Sequence, residues 1–123
     1  MILVDASIWS HHFRNADRAM QVLLDQRLVL GHPFVRGEIS LGSIADRAET
    51  LERLDALPQA NQADDREVVT MIERRGWFAS GIGYVDAHLL ASLILTPGAN
   101  LWTSDMALHR IALQLGRAFT AAD

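Results

Sequence analysis

Cysteine is absent from the chain, which excludes a disulfide framework, a thiol nucleophile and cysteine-bound zinc. That absence suits a reducing compartment, and a cytoplasmic location is expected. Lysine is missing too: all eleven basic residues are arginine, against fifteen acids and a net charge of -4. Long apolar runs are also lacking. The longest, Leu89–Leu95, is broken by Ser92 and closed by Pro97, far short of the ~20 residues that cross a bilayer. Met1–Val4 has no basic segment before it and no long apolar segment after it, so it does not read as a signal peptide. Three prolines and eight glycines are scattered as punctuation, with no repeat, linker or low-complexity tract. A single domain over residues 1–123 with one core is expected, and no membrane association.

Net negative charge at first argues against a nucleic-acid partner. If four of the fifteen acids were gathered in one metal site, however, the rest would balance the eleven arginines. Arginine is also the better side chain for bidentate phosphate contacts. An acidic pocket on a neutral, arginine-bearing surface remains compatible with RNA.

What is present begins with "MILVDASIW". Met1–Val4 is short and β-branched enough for a buried strand, and the carboxylate of Asp5 stands at its end. Helical patterns follow over Ser7–Phe13 and Ala16–Gln26, then a second strand at Leu28–Gly31. The spacing predicts helices over Phe34–Ile44, Arg47–Leu57, Asp65–Arg75, Tyr84–Thr96 and Asp105–Leu115. Asp64 and Glu67 form a capping pair for the third of these, and Gly76 ends it. Leu101–Thr103 reads as a third strand and Ala118–Thr120 as a possible last one. Strands separated by helices imply right-handed crossovers and a parallel sheet covered on both faces, with the active site beyond the strands' carboxyl ends.

Under that topology Asp5 and Asp105, each just past a strand, project at the same edge of the sheet. Asp86 shares the inward stripe of its helix with Leu90 and Leu93, and Glu38 shares a face with Leu41, Gly42 and Ala45. Each acid also has an ordinary structural use. Asp5, Asp86 and Asp105 suit helix caps, and Glu38 could pair with Arg36. Taken together, the four converge on one point. Gathered carboxylates repel and raise one another's pKa values unless a cation offsets them, and a hard divalent ion takes such oxygen ligands. The chemistry implied is metal-assisted phosphodiester hydrolysis.

The segments "ILVDASIW", "HPFVRGEISLGSI", "GYVDAHLLAS" and "LWTSDMALHRIA" resemble the four acidic motifs of PIN-domain ribonucleases, and more narrowly the VapC toxins of VapBC toxin–antitoxin pairs. The resemblance spans nearly the whole chain; it is weakest over Arg47–Gly81, where only helical character agrees. It implies an α/β fold, a three-layer α/β/α sandwich with a central parallel sheet, and a Mg²⁺- or Mn²⁺-dependent endoribonuclease acting on structured RNA such as tRNA or rRNA. By the same resemblance Asp5, Glu38, Asp86 and Asp105 are the metal-binding acids. Ser7 and Thr103 match the small hydroxyl residues beside the first and fourth acids, which orient a carboxylate or a metal-bound water. A homodimer and a VapB-type antitoxin that blocks the site are implied as well.

The remaining residues carry weaker signals. No histidine pair has zinc spacing with a third ligand. His109 lies one turn after Asp105, with a solvated or supporting role expected; His88 points about 200° away from Asp86; His11, His12 and His32 carry no signal beyond nearby loops. Trp102 is expected in the core, and Trp9, one helical turn from Phe13, in the core or a dimer contact. A phosphoacceptor receiver domain would need a lysine near its acids, and a haloacid-dehalogenase-type phosphatase an aspartate at position 7, where Ser7 stands. A catalytically silent PIN-like module, or a PIN nuclease outside toxin–antitoxin systems, stays open.

Overall fold

The computed structural model describes residues 1–121. Its elements follow in the order β1 (Ile2–Val4), α1 (Ala6–Arg14), α2 (Arg18–Asp25), β2 (Val29–Leu30), α3 (Pro33–Ser40), α4 (Arg47–Asp55), α5 (Asp65–Arg75), α6 (Tyr84–Leu95), β3 (Asn100–Trp102) and α7 (Met106–Gln114). The three strands form a parallel sheet in the order β2-β1-β3, with Leu3 opposite Leu30 on one side and Leu101 on the other. Single parallel bridges extend it at both edges, Gly31 to Gln59 and Leu101 to Ala118. The strand expected at Ala118–Thr120 is thus reduced to one bridge, and the Gln59 contact has no counterpart in the sequence pattern. This is the α/β, PIN-like architecture the motifs implied.

The first strand is central because its residues suit no other place. Leu3 and Val4 are fully buried, as is Leu101 beside them. Parallel strands covered on both faces are apolar throughout, unlike the alternating strands of a half-exposed sheet. α6 is the most buried helix, with Leu89, Leu90, Ala91 and Leu93 all at 1 % exposure or less, so it is apolar on nearly every side. Asp64 and Glu67 cap α5 reciprocally, as their spacing predicts, and Gly76 closes it in the left-handed conformation at φ 68°.

One helix is shorter than its pattern suggested. α3 ends at Ser40, not Ile44, and Leu41 beyond it is 88 % exposed. The guanidinium of Arg47 donates to the carbonyls of Ser40 and Gly42, supplying hydrogen bonds that a further helical turn would have made. Leu41, Gly42 and Ala45 therefore do not share an inward face with Glu38. The inward residues of α3 are Val35 and Ile39, and Glu38 lies exposed at its rim.

Candidate functional site

Adjacent parallel strands that end together bring their following residues together. The backbone N–H of Asp5 donates to the Trp102 carbonyl at 3.1 Å, so the first residue past β1 sits beside the end of β3. Asp5 is 7 % exposed and is the N-cap of α1. Its Oδ1 accepts from the N–H groups of Ser7 (3.0 Å) and Ile8 (3.4 Å) and from the Ser7 hydroxyl, and its Oδ2 accepts from the Thr103 hydroxyl. Four donors on one carboxylate fix its orientation.

The same hydroxyls reach the fourth acid and the residue before it. Thr103 Oγ1 accepts the backbone N–H of Asp105 at 3.0 Å, and Ser7 Oγ accepts that of Ser104 at 3.2 Å. Asp105 is the N-cap of α7 and takes the Leu108 N–H on Oδ1 at 2.9 Å. Ser7 and Thr103 thus stand between the first and fourth acids and hold the β1 and β3 ends in register.

Asp86 occupies the first turn of α6, where Oδ2 accepts the Gly83 N–H at 3.1 Å. It is half-buried on the stripe of Leu90 and Leu93, both fully buried. Burial pushes its carboxyl up, the Gly83 N–H pulls it down, and the charges of Asp105 and Asp5 raise it further. The Glu38 carboxyl is also raised, by partial burial and then by the charges of Asp86 and Asp5, although the residue as a whole is exposed. Glu38 and Asp86 are thus each within electrostatic reach of two other acids of the set.

Three of the four acids are helix caps or first-turn partners, so the ordinary structural use is real for Asp5, Asp86 and Asp105. Caps alone do not account for the cluster, because a cap needs no second carboxylate nearby. Arg36, the basic residue nearest Glu38 in sequence, pairs instead with Asp55 at 3.0 Å. The other ion pairs join Arg53 to Glu49 and His88 to Asp65, so among the described residues no cationic side chain neutralises any of the four.

By donor chemistry the set fits a hard divalent ion: it consists of carboxylates, and Asp86 and Asp105 each commit only one oxygen to a cap. As the side chains stand, among the described residues no three acids or imidazoles are grouped closely enough to enclose an ion. The fit is therefore one of ligand type and charge.

Two clefts are lined by site residues or their neighbours. One of about 250 Å³ is lined by Ser10, Arg14 and Glu38, and one of about 440 Å³ by Thr103, Ser104, His109 and Arg110. His109 faces the second cleft. Trp9, Trp77 and Trp102 are buried at 8 % exposure or less and offer no free ring for base stacking. His88 is bound to Asp65 on the side of α6 away from Asp86. Sequence reasoning passed over His32, which is 2 % exposed and caps α3 by accepting the Phe34 N–H. Its signal was the dipeptide His32-Pro33: proline favours the first helical position, which makes its predecessor the cap.

No protein-family profile matches the chain. Over 118 residues it is 41% identical to the protein named Ribonuclease VapC32 in two Mycobacterium tuberculosis strains, CDC 1551 / Oshkosh and ATCC 25618 / H37Rv. The overlap covers 96% of this chain and 95% of that protein.

Proposed function

The chain belongs to the VapC family of PIN-domain ribonucleases, and on that premise we propose that it is a Mg²⁺- or Mn²⁺-dependent endoribonuclease toxin that cleaves structured RNA, tRNA or rRNA, and is neutralised by a VapB-type antitoxin. The observation that carries the reading is that Asp5 and Asp105 stand at adjoining strand ends joined through Thr103, that the carboxyls of Glu38 and Asp86 are each raised in part by the charges of other acids of the set, and that among the described residues no cationic side chain is paired to any of the four. Sustaining such a cluster costs folding energy, and a divalent cation is the partner that offsets it. Asp5, Glu38, Asp86 and Asp105 would hold that ion. When bound, it would lower the pKa of an attacking water and offset the charge that builds on the phosphodiester.

The chain's own residues supply position and charge. Asp5 is fixed by Ser7, Ile8 and Thr103, so its carboxylate is pre-oriented at no cost when ligand arrives. Asp105 is fixed relative to it through Thr103. Glu38, at the rim, has the exposure a ligand needs to adjust to an incoming phosphate. Arg14 and Arg110, exposed in the two clefts, would hold phosphates flanking the scissile one. Family membership supports an antitoxin partner and a homodimer. No helix among the described residues is long and apolar enough to cross a membrane.

Thermal melting tests the acid site without RNA. Millimolar Mn²⁺ or Mg²⁺ binding the folded form at 100 times its Kd would stabilise it by about 2.7 kcal/mol, several degrees for a domain of this size. An unchanged melting temperature at saturating metal removes the metal site from the proposal.

A further inference from the structure

α3 and α6 carry two of the four acids, and two side-chain contacts join the start of α3 to α6. His32 Nε2 lies 2.9 Å from Ser92 Oγ, and both residues are buried. The Phe34 ring packs on His88 with centroids 4.6 Å apart. The Glu38 carboxyl feels the charge of Asp86. From His32 to Phe34 the chain advances while the partners step back from Ser92 to His88, so the two segments run in opposite directions here. These two contacts form a short ladder at the start of α3, and the same helix carries Glu38 further along.

The tautomer of His32 follows from its partners. Nδ1 accepts the backbone N–H of Phe34 at 3.0 Å and so carries no proton. In the neutral imidazole the proton is therefore on Nε2, which donates to Ser92 Oγ. One ring both starts α3 and ties that start to the middle of α6.

We infer that His32, through its hydrogen bond to Ser92, is a positioning residue that sets the register of α3 on α6 and thereby positions Glu38. This inference rests on the proposed four-acid site for its functional consequence, but its structural content stands apart. His32 touches no reacting atom; it acts through two helices. The nearer contact, Phe34 on His88, is apolar and non-directional and would permit sliding. The hydrogen bond does not.

Two variants separate the pin from the cap. His32→Asn keeps an excellent N-cap acceptor but is too short to reach Ser92. Ser92→Ala keeps the imidazole and its cap and removes the acceptor on α6. Leu23→Ala, a cavity variant on α2, provides a control that loses stability without touching the ladder. On the full chain, amide hydrogen exchange and Mn²⁺ affinity by calorimetry are read together. Both pin variants are expected to exchange the α3 amides of residues 36–40 faster than the control, with α7 unchanged. Their Mn²⁺ affinity is expected to fall about tenfold, the usual consequence of losing a supporting hydrogen bond, while the control binds as the unmodified protein does. Unchanged α3 exchange and unchanged Mn²⁺ affinity in His32→Asn and Ser92→Ala would overturn the inference. If the unmodified protein binds no Mn²⁺, the four-acid reading fails, and α3 exchange alone decides: acceleration sustains the register role and its absence ends it.

Discussion

The Thr103 hydroxyl donates to Asp5 Oδ2 across 98 residues of sequence, and the same oxygen accepts the backbone N–H of Asp105. One small side chain thereby ties the first acid of the site to the fourth. The tie is possible because β1 and β3 are parallel neighbours that end at one level, Val4 opposite Trp102.

Thr103→Val keeps the shape and removes both hydrogen bonds. Asp5 is left with an unmet buried acceptor, which costs about 1–3 kcal/mol. The variant is expected to unfold at lower denaturant and to lose RNA cleavage by tenfold or more, as supporting hydrogen bonds do at metal sites. Thr103→Ser should restore both. If Thr103→Val cleaves at the full rate, the hydroxyl serves stability alone.

Asp5→Asn separates charge from capping. Asparagine caps helices as well as aspartate does, so α1 keeps its start. The substitution also relieves repulsion on Glu38 and Asp86. Melting without metal should therefore change little or rise, while the Mn²⁺-induced rise disappears and cleavage is lost. A clear drop in melting temperature with cleavage retained would make Asp5 a cap and nothing more.

Arg14→Ala and Arg110→Ala probe the two clefts. A phosphate contact remote from the reacting atoms contributes binding and not chemistry, so each change should raise KM for RNA several-fold, leave kcat nearly unchanged and reduce the salt slope by about one. Equal KM values and salt slopes in unmodified and variant proteins would remove the flanking contacts from the account.

The site was legible in sequence to the extent that strand ends and helix periods place residues. Asp5 follows an apolar run that could only be a strand, and Asp86 falls on the stripe of Leu90 and Leu93; both are where the pattern put them. Leu41 was misplaced because Ile39 to Ile44 keep an apolar rhythm. The stop comes from Arg47, whose side chain takes the Ser40 and Gly42 carbonyls, and a side-chain contact leaves no periodic trace. His32 was invisible for a related reason: its partner Ser92 is 60 residues away and on another helix.

Stability should fall with acid in a window that His32 defines. Burial, then the charge of His88, lowers its pKa from 6.5 to about 4. Below pH 6.5 the unfolded chain takes up a proton that the folded form refuses, so stability is complete above that pH and is lost as pH falls toward 4. The loss is on the order of 2–3 kcal/mol for so buried a ring. Glu38 and Asp86 act with the opposite sign, since their raised pKa values let the folded form hold protons first, but only as pH enters the carboxylate range. His88, with its partner Asp65 and with Tyr84 against its ring, faces His32 across Phe34 and stays in place in the variant. His32→Asn should flatten the slope between pH 6.5 and 4 in denaturant titrations. An unchanged slope would place the acid sensitivity elsewhere.

The most direct measurement is incubation of the purified protein, free of any antitoxin, with total cellular RNA in Mn²⁺, in Mg²⁺ and in excess EDTA, beside Asp86→Asn. Asparagine retains the oxygen that accepts the Gly83 N–H and removes only the charge. The account predicts discrete cleavage products with either metal, none in EDTA and none from the variant. Cleavage that persists in EDTA, or in folded Asp86→Asn, would contradict the four-acid metal centre; intact RNA in every lane, with tRNA and rRNA both present, would contradict the nuclease itself.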